Sequence, residues 1–81
     1  MHKTYTTKGV CSRQIDIEID ENGIITSCSF LGGCNGNTQG VARLVEGMKV
    51  EEAIKRLSGI RCGMRPTSCP DQLAQALKET V

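Results

Sequence analysis

Five cysteines in 81 residues are the part of this chain that could do chemistry: Cys11, Cys28, Cys34, Cys62 and Cys69. Cys34 sits in Gly32-Gly33-Cys34-Asn35-Gly36-Asn37, where glycines allow close approach of other groups. Successive backbone amides at a helix start favour an anion there, and a thiol so placed is biased toward thiolate. Cys69 precedes Pro70 and Asp71, a pattern that makes it the expected N-cap of another helix. Three or four converging thiolates suit Zn²⁺ or an iron–sulfur cluster. Cys11, Cys34 and Cys69 are the expected metal ligands, with Cys62 as a fourth. Cys28 lies deep in an apolar alternation and reads as a small core hydrophobe.

No other group of residues offers comparable chemistry. The single histidine, His2, lies near a terminus and has no partner for a Cys–His nucleophile pair. Asp16, Glu18 and Asp20 alternate along the polar face of a strand, which reads as solvated surface. Gly32-Gly33 with Gly36 lacks the Gly-Lys-Ser/Thr of a phosphate-binding loop. Stand-alone catalysis is therefore not expected.

Composition narrows the classes further. A formal net charge of +1 with mixed signs gives neither a nucleic-acid footprint nor a membrane-surface patch. No apolar run is long enough to span a bilayer, and the N-terminal residues lack the apolar core of a signal peptide. A cytoplasmic location is the expectation, and thiols there are more often metal-binding or catalytic than disulfide-bonded. The length fits one domain over residues 1–81 with a modest core.

The elements that must position the cysteines can be read from periodicity. Residues 3–8, rich in Thr, suit a short edge strand. From Arg13 to Asp20, Ile15, Ile17 and Ile19 alternate with polar residues, the pattern of a half-buried antiparallel strand. Asn22-Gly23 then signals a two-residue hairpin loop, with a return strand over 24–31. That loop pairs Ile19 with Thr26, Ile17 with Cys28 and Ile15 with Phe30. Continued outward, the register sets Arg13 against Gly32 and Cys11 against Cys34, on the core side.

The period then becomes helical. Val41, Leu44, Val45 and Met48 mark a core stripe on a helix from about Thr38 to Gly47, with Gly40 as a point of close packing. Val50, Ala53, Ile54 and Leu57 mark a second, with Glu51–Lys55 and Glu52–Arg56 in favourable order and Gly59 ending it. Leu73, Ala76 and Leu77 mark a third. A β-hairpin or small sheet followed by about three helices is an α+β fold.

Two family resemblances rest on these residues. Gly9-Val10-Cys11, Ile17-Glu18-Ile19-Asp20-Glu21-Asn22-Gly23-Ile24-Ile25 and Gly33-Cys34 resemble the first half of U-type iron–sulfur scaffold proteins. Leu44-Val45-Glu46-Gly47-Met48-Lys49-Val50-Glu51-Glu52-Ala53 is similar to their helix pair, and Ser68-Cys69 with Leu73, Ala76 and Leu77 to their third-cysteine helix. That resemblance implies a scaffold-like fold with Cys11, Cys34 and Cys69 at the cluster-binding positions. The chain departs from it at three points. Ser12-Arg13 follows the first cysteine where the scaffolds carry an Asp, and Ser68 stands where they have His. Gly63-Met64-Arg65-Pro66-Thr67 replaces their chaperone-recognition loop.

Thr67-Ser68-Cys69-Pro70-Asp71 spells the name of the TSCPD domain, which this chain resembles over most of its length. That domain occurs as a small stand-alone protein and as the C-terminal region of adenosylcobalamin-dependent ribonucleotide reductases. The resemblance implies an association with ribonucleoside-diphosphate reductase; with the cysteine constellation, the expected function is a metal- or cluster-binding accessory module, with the reductase or iron–sulfur machinery as protein partner. An iron–sulfur scaffold with an exchangeable cluster and a thiol–disulfide redox protein are the alternative functions.

Overall fold

The computed structural model describes residues 1–8, 10, 12–32, 35–61, 63–64 and 67–80, with backbone alone at 35–37. Among these residues, three strands precede three helices. They are β1 (His2–Thr6), β2 (Ser12–Ile19), β3 (Ile25–Gly32), α1 (Asn35–Val45), α2 (Val50–Leu57) and α3 (Cys69–Lys78). The strands form one antiparallel sheet in the order β1-β2-β3, as the α+β reading expects.

The hairpin differs from its expected form at both ends. Its loop holds three residues, because Gly23 N–H donates to Asp20 O (3.1 Å) and Asp20 N–H to Ile24 O (2.9 Å). Asp20 selects this turn: its Oδ1 accepts from Asn22 N–H (2.9 Å) and Ile24 N–H (3.0 Å). Gly23, at φ +76°, supplies the left-handed residue that such a turn requires. Ile19 therefore pairs with Ile25, not Thr26. A bulge then restores the expected register, so that Ile17 meets Cys28 and Ile15 meets Phe30. It also lets Ile25 and Cys28, three positions apart, both face the core. A second irregularity on β2 puts Ser12, not Arg13, opposite Gly32. The expected Cys11–Cys34 pair lies outside the described residues.

Alternation on β2 places Ile15, Ile17 and Ile19 in the core, where they meet Ile25, Val45, Val50, Leu73 and Leu77. Each fully buried side chain of this size stabilises by about 1.5–3 kcal/mol. α3 is the most enclosed helix, with seven of its ten residues buried. Ala74 and Ala76 have no exposed surface, so the helix can sit close to its neighbours. The Lys3–Glu79 ion pair (2.7 Å) ties the end of α3 to β1. Of the two expected pairs on α2, Glu52–Arg56 forms at 2.7 Å, and its hydrogen bond lowers the Glu52 pKa.

α1 begins three residues before the expected start and is rolled relative to the expected stripe. Thr38, Ala42 and Val45 face the core, whereas Leu44 is 72% exposed. The roll follows from the tether after the helix: Gly47 N–H donates to Ile25 O (2.7 Å) and Ile25 N–H to Met48 O (2.9 Å). Gly40 marks no close approach, since a Cβ there would meet nothing within 4 Å. Among the described residues, no helix is long and apolar enough to cross a membrane.

Gly40→Ala is therefore expected to stabilise the protein by about 1 kcal/mol through helix propensity alone. Urea unfolding would register this as a higher midpoint with an unchanged m-value. A lower midpoint would show that Gly40 serves a contact absent from this packing.

Candidate functional site

The start of α3 is held by a network of side chains within Thr67–Gln72. Ser68, not Cys69, is the N-cap. Its hydroxyl accepts from Asp71 N–H (3.2 Å) and donates to Ile60 O (2.6 Å). A hydroxyl accepts such a bond better than a thiol does, which moves the cap one residue upstream. Cys69 is then the first helical residue and Pro70 the second, where its missing N–H leaves nothing unsatisfied.

Asp71 is only 7% exposed, and its carboxylate is given two donors. Oδ1 accepts from Gly59 N–H (2.7 Å) and Oδ2 from the Thr67 hydroxyl (2.5 Å). Gly59, at φ +84°, turns the chain out of α2 so that its amide meets that oxygen. The Thr67 hydroxyl bond, reinforced by Gly59 N–H, lowers the Asp71 pKa despite its burial. Thr67 Oγ1 also accepts from Gln72 Nε2 (3.1 Å), and Gln72 Oε1 accepts from Lys8 N–H (3.0 Å). One continuous network thus joins the β1–β2 loop, the α2–α3 connection and the start of α3.

Cys69 lies under this network. It is 6% exposed, and its Sγ is 3.2 Å from the hydroxyl of Ser12, itself 3% exposed. Ser12 is fixed in turn, because its carbonyl accepts from the Thr7 hydroxyl. Of the four expected ligands only Cys69 is placed: Cys11, Cys34 and Cys62 lie outside the described residues. Among the described residues, no three His, Cys, Asp or Glu side chains group as a metal cage. Their chain neighbours do come together. Ser12, which follows Cys11, pairs with Gly32, two positions before Cys34. Ile60, two positions before Cys62, is bonded to Ser68.

Cys28 is a core residue, 6% exposed. Burial, with Glu46 and Asp16 adding negative charge nearby, pushes its thiol pKa up to about 12 and keeps it protonated. His2 belongs to the outer face of the sheet, where its Nδ1 lies 2.6 Å from Glu18 and its Nε2 3.2 Å from Thr4. Sequence reasoning met Thr67 and Asp71 only in the Thr67–Asp71 motif and at the helix start, and Ser12 only as the residue after Cys11. It gave none of them, nor Gln72, a positioning role. Ser68-x-x-Asp71 carries the spacing of a capping box, a signal that could have found Asp71 but not Ser12, Thr67 or Gln72. Here the Asp71 side chain turns to Gly59 and Thr67 instead.

A family model described as TSCPD domain matches residues 1–81. No curated protein and no solved structure matches the chain.

Asp71→Ala should destabilise the protein by about 2 kcal/mol, by leaving the donors of Gly59 and Thr67 unsatisfied. Folding lowers the Asp71 pKa, so its contribution is fully present above the ordinary carboxylate value of 3.8. It is lost as pH falls through the lower, folded value. The loss of stability on acidification should accordingly be shallower in the variant, as read from urea midpoints between neutral pH and pH ~2.5. Equal slopes would show that folding does not lower the Asp71 pKa.

Proposed function

We propose that this chain, which belongs to the TSCPD domain family, is a metal- or iron–sulfur-binding accessory domain linked to ribonucleotide reductase. Family membership supports the reductase link. The observation that carries metal binding is the Ser12–Cys69 contact. It joins the residue after Cys11, and through the Ser12–Gly32 pair the approach to Cys34, to the helix start that bears Cys69.

Cys11, Cys34 and Cys69 would hold the metal, with Cys62 as a fourth ligand. All-thiolate donors suit zinc or an iron–sulfur cluster and exclude Mg²⁺ or Ca²⁺. When bound, zinc would supply a structural cross-link, and a cluster would supply one-electron chemistry. The remaining residues act as positioning groups. Ser12 orients the Cys69 sulfur, Ser68 fixes the first turn of α3, and Asp71 holds the connection that contains Cys62. Thiols kept reduced in a cytoplasmic setting are consistent with this role.

Anaerobically purified protein should contain about one zinc per chain, or iron with acid-labile sulfide and visible charge-transfer absorbance. Elemental analysis and spectra should show that metal lost in Cys11→Ser, Cys34→Ser and Cys69→Ser, reduced in Cys62→Ser, and retained in Cys28→Ala. Metal-free protein whose thiols reduce a disulfide substrate would overturn this reading in favour of thiol–disulfide exchange.

A further inference from the structure

Among the described residues, β3 is an edge strand whose outward backbone meets a groove. β2 uses alternate residues for its two neighbours: Ile19 N–H donates to Met1 O (2.8 Å), and Arg13 O accepts from Thr7 N–H (3.1 Å). The intervening residues Asp16 and Glu18 therefore bond toward Ser29 and Ser27 on β3. Alternation along β3 then turns the N–H and C=O of Cys28 and Phe30 outward.

The chain already uses the first position on this edge. Ile25 exchanges bonds with Gly47 and Met48 (2.7 and 2.9 Å), and Ile24 forms an antiparallel bridge with Lys49. The next two outward positions open into a groove of about 620 Å³ between β3 and α1. Cys28, Ser29 and Phe30 line one side, and Ala42, Arg43 and Glu46 the other. From Ile25 to Gly32, β3 carries no charged residue and no proline, the devices that usually protect an open edge from pairing.

We infer that this edge takes an extended peptide segment of a partner protein as a fourth strand, with an acidic side chain against Arg43 and a basic one against Glu46. The edge, unpaired at these positions among the described residues, sets the peptide chemistry, because alternating donors and acceptors match another extended backbone. Charge sets the sequence. Arg43 and Glu46 are exposed, and neither enters an ion pair among the described residues. They are separated by ~4.5 Å along the helix axis, against ~6.8 Å between same-face residues of a strand. α1 starts beyond the end of β3 and finishes beside Ile25, so it runs back along the strand. A segment antiparallel to β3 passes Arg43 before Glu46, which selects an acidic–x–basic order. The neutral Cys28 thiol adds no competing charge to the floor.

Selection from a displayed library of random heptapeptides tests this, followed by binding of a synthetic peptide of the enriched sequence. The expected result is an acidic–x–basic pattern, with hydrogen exchange at the Cys28 and Phe30 amides slowed about tenfold or more on binding. The Arg43→Glu/Glu46→Arg double variant alters only exposed side chains, and unchanged circular dichroism would verify its fold. It should invert the selected order to basic–x–acidic. Failure to enrich any sequence would overturn the inference, as would undiminished binding of the original peptide to the double variant. Concentration-dependent protection of the two amides without peptide would replace the partner with a second copy of this chain.

Discussion

A carboxylate that has been taken out of water must be given donors, and the open end of this fold is arranged around that requirement at Asp71. One oxygen draws in the amide that ends α2, and the other draws in the hydroxyl just before α3. The connection between the two helices is therefore pinned at both ends to one side chain. Thr67 passes the restraint to Gln72, and Gln72 passes it to the β1–β2 loop. Without that carboxylate, helix packing would still be favourable, but the loops around Cys69 would lose their common anchor.

The five residues that name the family divide into distinct physical tasks. Thr67 bridges Asp71 and Gln72, Ser68 caps the helix, Pro70 occupies a position that needs no donor, and Asp71 gathers the connection. Cys69 is the member that meets the sheet, through its contact with Ser12. Four residues thus build a rigid helix start, and the fifth presents sulfur from it.

The hydrophobic alternation of Ile15, Ile17 and Ile19 and the helical spacing of Val50, Ala53 and Leu57 made the α+β order legible in the sequence. Short-range chemistry was less legible where two local solutions compete. Asn22-Gly23 suits a two-residue loop, yet the Asp20 carboxylate stabilises a longer one, and a bulge at Thr26 then recovers the register. At α3, serine and cysteine competed for the cap, and the better acceptor won. Leu44 was misassigned because the α1 pattern contains more apolar residues than its buried face uses; the tether of Gly47 and Met48 to Ile25 decides which row turns inward. Cys11, Cys34 and Cys62 lie outside the described residues, so their expected convergence remains part of the functional proposal.

The bonds from Lys8 to Gln72 and from Ser12 to Cys69 span 64 and 57 positions of the chain. The β2–β3 hairpin and the tether of the α1–α2 connection are far more local. Closing a long loop costs entropy before any contact is gained, so the start of α3 is suited to dock late in folding and to open early in local unfolding. Cys69 is sealed by that same docking. Access of a thiol reagent to its sulfur is thereby coupled to release of the helix start, making chemical protection of one side chain a gauge of how often the two ends of the chain part.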